Sequence, residues 1–170
     1  LRIERHNENT QAIAEWLENH SDVASVNYAG LPSSPWYAAA NKYAPKGVGA
    51  VVSFELKGGV DAGRALVENV ELFSHLANIG DVRSLIIHPA STTHRQLSDE
   101  DRAKAGAGND VVRLSIGIED VADIIADIEQ AMVDGFSTGG SLGAGLPGTR
   151  RLVDAFDIRS APEGTCVTVQ

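Results

Sequence analysis

Two segments of alternating apolar residues constrain the fold of this chain most strongly. The first covers residues 48–56 and the second covers residues 112–118. A period of two places every second side chain on the same face of a strand, so each segment predicts a strand with one buried face. In the second segment the alternation sends Arg113 to the face opposite Leu114 and Ile116.

Three other segments carry apolar residues at steps of three and four, which predicts helices. One helix begins at Asn9 or Thr10 as its cap, one covers residues 61–77, and one begins at Asp120. Strands that alternate with helices in this way predict an α+β fold. We expect a two-layer α/β sandwich whose sheet is mostly antiparallel and whose helices pack on one face.

The remaining segments predict shorter elements and two long loops. The loops cover residues 30–46 and 89–109, and the second has a short helical patch at residues 99–105. The predicted short elements are a strand at 85–87, a helix that begins with Pro147, and a hairpin of residues 157–160 and 165–169. Whether this hairpin joins the main sheet is open at this point.

Composition and charge exclude several classes of protein. The 170 residues contain no apolar run of membrane-spanning length, and the net charge of -9 comes without a basic stripe. We therefore expect neither a membrane nor a nucleic acid as partner. The single cysteine, Cys166, excludes an internal disulfide and predicts a reducing, cytoplasmic location, where we expect no disulfide partner. Because the chain starts in mid-pattern without Met, we expect it to derive from a longer protein.

Three stretches of the chain carry a family resemblance. They are GAVVSFELKGG at 49–59, LFSHLANIGDVRSLIIHPASTTHRQLS at 72–98 and VVRLSIGIED at 111–120. Together they resemble the C-terminal domain of the pyridoxal-phosphate enzymes of Cys/Met metabolism. The resemblance extends over roughly three quarters of the chain and is more specific than a short motif.

This resemblance implies roles for four residues. Arg113 would bind the α-carboxylate of a substrate, which suits a guanidinium because it can form two parallel hydrogen bonds with a carboxylate. Asn78 would lie beside that carboxylate, although an ordinary turn asparagine explains the position equally well. Ser91 and Thr92 would lie near the substrate entrance.

The same resemblance implies that the chemistry of the family requires more than this chain. The family uses a lysine that binds pyridoxal phosphate (PLP) covalently, and that lysine belongs to a large domain that would precede residue 1. None of the four lysines here has a similar context. We therefore expect no cofactor and no catalytic residue in the chain alone. His88 and His94 lack the spacing of metal ligands, so we expect structural roles for them and no metal site.

The glycine-rich stretch DGFSTGGSLGAGLPGTRR, residues 134–151, carries a second resemblance. It is similar to the ATP lid of the GHKL ATPase superfamily, in particular the anti-sigma regulatory serine/threonine kinases. The parent enzymes use ATP with magnesium, but the residues that would hold the metal and the adenine are missing here. The resemblance implies former nucleotide contacts at Ser137, Thr138, Gly143, Gly145 and Leu146.

The two resemblances suggest a chain assembled from two enzyme fragments. Residues 1–132 would form the first part and residues 122–170 the second, with a shared helix at 120–132. Our leading interpretation is an engineered or recombined chimera that folds without native catalysis. The alternatives are a weak nucleotide-binding module and a fragment of a PLP-dependent transferase that needs its large domain. We also expect self-association, through apolar surface near Trp36, Tyr37 and Leu76.

Overall fold

The computed structural model describes residues 1–135, 156–161 and 164–169, and it describes side chains within residues 1–133. Five helices, seven strands and one 3₁₀ turn lie in these ranges. They are α1 (Arg2–Asn19), β1 (Val23–Asn27), α2 (Tyr37–Tyr43), β2 (Val51–Leu56), α3 (Gly59–Asn69), β3 (Ser74–His75), β4 (Leu85–Ile87), the 3₁₀ turn (Pro89–Ser91), α4 (Asp99–Lys104), β5 (Val111–Ser115), α5 (Val121–Gly135), β6 (Phe156–Ala161) and β7 (Gly164–Val169).

The main sheet has five strands in the order β1-β2-β5-β4-β3. Three of its pairings are antiparallel, and only β3 with β4 is parallel. The sheet is therefore mostly antiparallel, as predicted from the sequence. Strand β5 lies at its centre, where Arg113 pairs with Ser53 of β2 on one side and with Ile87 of β4 on the other.

One face of the sheet packs against helices α1, α3 and α5. Phe54 and Leu114 supply the central strands' share of this core, and both are at most 1% exposed. Leu17 of α1, Leu66 of α3 and Ile128 of α5 belong to the same buried cluster. Each such side chain contributes about 1.5–3 kcal/mol to stability through removal of apolar surface from water. This arrangement is the two-layer sandwich that the alternating and helical patterns predict.

The first helix begins earlier than predicted, at Arg2 rather than at Asn9 or Thr10. Asn9 is buried inside the helix, and its side-chain amide donates to the backbone carbonyls of Gly117 and Glu119, at 3.2 and 2.9 Å. Thr10 is buried as well, and its hydroxyl donates to a carbonyl one turn earlier. Asn9 and Thr10 are residue types that often cap helices, but here their side chains donate hydrogen bonds to backbone carbonyls inside the molecule.

The helix predicted over residues 61–77 ends at Asn69. The carboxylate of Asp127 on α5 accepts the backbone N–H groups of Glu71 and Leu72, at 2.9 and 3.1 Å, and so holds the following chain in a non-helical path. Phe73 still reaches the core, at 5% exposure, but from this connecting segment. The apolar spacing therefore continues beyond the helix, because the segment after it also packs inward.

Several shorter elements also differ from the predictions. The sequence gives no clear signal for β1 or β3, and α2 lies in a stretch predicted to be a loop. Strand β2 begins at Val51 rather than at residue 48. The predicted hairpin is present as β6 and β7, which form a separate two-stranded antiparallel sheet. The predicted helix at Pro147 lies outside the described residues.

No helix in the described ranges has both the length and the apolar character that are needed to cross a membrane.

Candidate functional site

Arg113 lies at the middle of the central strand, on the face opposite the helical core. Its side chain is half-buried, and its Nη2 donates to the backbone carbonyl of Asn78 over 3.3 Å. Its Nε is buried without a hydrogen-bond partner among the described residues. Within the same ranges, none of the ion pairs involves this guanidinium. Arg113 therefore places a positive charge and an unused Nε donor on the face of the sheet opposite the helices.

Asn78 meets Arg113 through its backbone rather than through its side chain. Its side-chain oxygen accepts the N–H of Ile79 at 2.9 Å, which fixes the turn that follows β3. This turn directs the carbonyl of Asn78 toward the guanidinium. The structure thus brings two of the predicted site residues together, and it assigns the contact to the main chain.

Ser91 and Thr92 lie in and after the 3₁₀ turn that follows β4, and both are exposed. The hydroxyl of Ser91 is 2.9 Å from Nδ1 of His88, and the hydroxyl of Thr92 donates to the carbonyl of His88 at 2.7 Å. Neither residue forms a hydrogen bond with Arg113 or Asn78. Along the chain they follow β4, whose Ile87 pairs with Arg113.

His88 was expected to be structural, and the structure agrees with that expectation. It is 2% exposed, and its Nε2 is 2.7 Å from the backbone carbonyl of Asn109. Because a carbonyl only accepts, Nε2 donates to Asn109. Nδ1 lies within hydrogen-bond distance of the Ser91 hydroxyl, which also donates to the backbone carbonyl of His88 at 3.3 Å. His88 thereby fastens the loop after β4 to the segment before β5. The described residues contain no group of metal-ligating side chains.

A second polar cluster was not anticipated from the sequence. Glu119 accepts the backbone N–H of Ser84 at 2.6 Å and the hydroxyl of Ser84 at 3.0 Å. The Ser84 hydroxyl in turn accepts the N–H of Gly117 at 2.9 Å. These contacts fasten the start of β4 to the segment that follows β5, on the C-terminal side of Arg113. In the sequence, this cluster is marked only by the position of Ser84 directly before the apolar run Leu85–Ile87.

The arrangement can bind a carboxylate. A half-buried guanidinium without a counter-charge is unfavourable, and an incoming carboxylate would supply both the opposite charge and acceptors for its N–H groups. The rigid central strand fixes the position of Arg113, and the carbonyl of Asn78 fixes one edge of the guanidinium. Such an arrangement can orient an anion at the centre of the sheet.

The chain's own residues do not fit a covalently held pyridoxal phosphate. All four lysines lie within residues 1–135, and each is exposed. Lys42 lies over the ring of Tyr43, 5.0 Å from its centroid, and Lys104 pairs with Glu100 at 2.7 Å. Lys57 donates to the carbonyl of Ser21. None of these contacts links a lysine to Arg113, so the contacts of the described lysines mark no anchor for the cofactor.

Comparison with known proteins gives a consistent family. The sequence model for "Cys/Met metabolism PLP-dependent enzyme" matches residues 1–133. The O-acetyl-L-homoserine sulfhydrylase of Corynebacterium glutamicum is 54% identical over 129 residues, which are 76% of this chain and 30% of that protein. The O-acetyl-L-homoserine sulfhydrylase 1 of Thermus thermophilus is 51% identical over 132 residues, 78% of this chain and 31% of that protein.

Solved structures show the same relationship. A crystal structure of a putative O-acetylhomoserine (thiol)-lyase from Campylobacter jejuni has a TM-score of 0.74 at 43% identity and covers 78% of this chain. The cystathionine gamma synthase of Xanthomonas oryzae pv. oryzae has a TM-score of 0.72, also at 43% identity and 78% coverage. The chain spans 31% and 34% of these two chains, so it corresponds to about a third of their length.

These comparisons give no support to the second resemblance. The family match ends at residue 133, and nothing in the comparisons relates the chain to GHKL ATPases or marks it as a chimera. Residues Ser137, Thr138, Gly143, Gly145 and Leu146 lie outside the described residues, so nucleotide binding there stays a prediction from the sequence alone. The boundary between residues 1–132 and 122–170 likewise stays a prediction.

The first resemblance, in contrast, is confirmed by sequence and by fold. The match includes the sheet, the three helices of the core, Arg113 and the loop after β4. The relatives are more than 50% identical over that length, and the solved structures share its fold. The chain therefore belongs to the Cys/Met metabolism PLP-dependent enzyme family.

Proposed function

We propose that this chain is the carboxylate-binding part of an O-acetylhomoserine sulfhydrylase-like enzyme, and that Arg113 holds the α-carboxylate of the amino-acid substrate. The observation that carries this proposal is the half-buried guanidinium with an unpartnered Nε at the centre of the sheet. Charged groups in such positions normally have a partner. A substrate carboxylate would be that partner.

The proposed reaction belongs to the complete enzyme rather than to this chain. In it, sulfide replaces the acetyl-bearing oxygen of O-acetyl-L-homoserine, so that a C–S bond forms, a C–O bond breaks, and homocysteine and acetate leave. Pyridoxal phosphate supplies the electron sink for such chemistry. This chain contributes binding and orientation, because Arg113 fixes one end of the substrate and thereby determines where its reacting carbon lies.

The other candidate residues have supporting roles in this proposal. Asn78 restrains Arg113 through its backbone carbonyl, which limits the directions in which the guanidinium can point. Ser91 and Thr92 keep the loop after β4 in one conformation through their bonds to His88. We propose that this loop borders the substrate entrance and that Ser91 and Thr92 act there without contacting the carboxylate.

A segment exchange tests the proposal with a complete enzyme. The matched segment of the Corynebacterium glutamicum relative would be replaced by residues 1–133 of this chain, and sulfide-dependent formation of homocysteine from O-acetyl-L-homoserine would be measured. We expect the exchanged enzyme to retain activity, because the segments are 54% identical and the core residues of the fold lie within the exchange. The unmodified relative is the positive control.

Two outcomes distinguish this proposal from the interpretation as a catalytically silent fold. A soluble, cofactor-loaded exchange protein that forms homocysteine supports the proposal. A soluble exchange protein that binds pyridoxal phosphate but forms homocysteine only at the rate without enzyme would contradict it. The amount of bound cofactor, read from its visible absorbance, shows whether the remainder of the enzyme has folded.

A further inference from the structure

An open depression lies between helix α3 and the loop that follows β4, and it encloses about 510 Å³. Its lining includes the side chains of Arg64 from α3 and Arg95 from the loop, together with His88, Ser91 and Asn109. Arg113 is not part of this lining. The depression is therefore a second basic feature, distinct from the carboxylate site at Arg113.

The two arginines of the depression are exposed and have no ionic partner in the described ranges. This distinguishes them from Arg83, which pairs with Asp81, and from Arg102, which pairs with Asp99. Asp61 and Glu68 lie one turn before and after Arg64 on the same helix, yet neither forms an ion pair with it. Two positive charges thus face one concave surface in a chain whose net charge is -9.

His88 and Asn109 line the depression as hydrogen-bonded side chains. His88 uses both ring nitrogens, one toward Ser91 and one toward the carbonyl of Asn109. The side chain of Asn109 is held by Arg102 at 3.1 Å and by Asp99 at 3.3 Å. A ligand would therefore meet hydrogen-bonded polar side chains together with the guanidinium groups of Arg64 and Arg95.

We propose that this depression binds a small dianion, with Arg64 and Arg95 each holding one pair of its oxygens. A guanidinium binds carboxylate and phosphate oxygens through paired N–H donors, and two guanidinium groups match a charge of two. The ligand class is inorganic phosphate or a short dicarboxylate. The site does not depend on the proposed catalytic function, because it uses none of the residues that hold the substrate carboxylate.

Calorimetric titration of the complete 170-residue chain tests this inference. Sodium phosphate and sodium succinate would be the two probes, at constant ionic strength, with sodium chloride as the blank. Exposed sites with two arginines bind weakly, so we expect saturable binding with a Kd of about 1 mM for at least one probe. Arg64→Gln and Arg95→Gln should each weaken it at least about fivefold, since each removes one of two charges.

Arg83→Gln is the matched control, because it removes an exposed arginine outside the depression, and it should bind the probe as the unchanged chain does. Arg113→Gln shows instead whether the probe occupies the carboxylate site. Absence of saturable heat with both probes, or equal weakening by Arg83→Gln, would overturn the inference. Loss of binding in Arg113→Gln alone would overturn it as well, because the ligand would then occupy the carboxylate site. Circular dichroism would confirm that each variant is folded.

Discussion

At the scale of single residues, Arg113 and Leu114 are neighbours in one strand with opposite roles. Leu114 is fully buried in the helical core, whereas Arg113 carries a half-buried charge without a counter-charge among the described residues. The period-two pattern predicted this division correctly, because the two faces of a strand alternate regardless of tertiary detail. The partner of Arg113 was not predictable from the residues alone, since it is a backbone carbonyl.

We expect Arg113→Gln to leave the stability of the isolated chain unchanged or slightly raised. The substitution removes a charge that the fold desolvates without compensation. Leu114→Ala should instead lower the free energy of unfolding by about 2–5 kcal/mol, because it leaves a cavity in a closed core. Urea unfolding followed by circular dichroism measures both. A loss above 2 kcal/mol in Arg113→Gln would show that Arg113 is structural.

Tyr28 provides a prediction for alkaline pH. Burial raises its pKa from 10.0 to about 12, and its hydroxyl donates to the carbonyl of Gly49 at 3.0 Å. A raised folded-state pKa means that the neutral phenol stabilises the fold fully below the unfolded-state pKa of 10.0. This stabilisation should disappear as the pH rises through about 12.

The variant Tyr28→Phe separates the two contributions of this residue. At neutral pH it should lose about 0.5–1.5 kcal/mol, because the hydrogen bond to Gly49 is absent. Between pH 10 and 12 the difference between variant and unchanged chain should shrink, since phenylalanine does not ionise. Urea unfolding at a series of pH values measures the stability difference at neutral pH and its change at alkaline pH. A constant difference across that range would contradict the assignment.

At the scale of elements, the sequence predicts the central strands and the amphipathic helices, but it does not predict the edge strands β1 and β3 or the short helix α2. Strands β2 and β5 each have one fully buried face, which requires an apolar residue at every second position of the sequence. Strand β1 buries only one residue, and α2 buries none, so neither produces a periodic signal. The end of α3 was also missed, because it depends on Asp127 from a distant helix.

Asp127 should therefore be important for the connection between α3 and β3. Asp127→Ala removes both acceptors of the backbone groups at Glu71 and Leu72, and we expect a loss of about 1–3 kcal/mol. Gln130→Ala on the exposed face of the same helix is the matched control, with an expected effect within about 0.5 kcal/mol. Thermal unfolding of both variants measures how much stability each substitution removes. Equal effects would show that the capping contact is dispensable.

At the scale of the whole molecule, the fold class was predictable and the origin of the chain was not. The two-layer sandwich followed from strands and helices that each bury one face. The glycine-rich stretch after residue 133 suggested a second enzyme family, because glycines before a proline resemble a phosphate-binding loop. Glycine spacing alone is a weak signal, and the comparisons support only the family of residues 1–133.

We also expect the isolated chain to self-associate. Four large apolar side chains are exposed in this region: Leu76 (47%), Ile79 (62%), Val82 (45%) and Ile118 (39%). The backbone N–H of Ile118 donates to the carbonyl of Val82, which brings these two residues together. Contiguous exposed apolar side chains favour association. Light scattering at rising concentration should show a mass above that of one chain, and Ile79→Ser should reduce it. A single-chain mass at every concentration would contradict this expectation.

The dependence of activity on Arg113 tests the central claim most directly. In the exchanged enzyme, the kcat/KM for O-acetyl-L-homoserine should fall at least about 100-fold in Arg113→Gln, because a charge-paired contact to the substrate is lost. Arg83→Gln, at an exposed arginine that precedes β4 and pairs with Asp81, should leave kcat/KM unchanged. If both variants retain the same kcat/KM, Arg113 does not bind the substrate carboxylate and the proposed role of this chain is wrong.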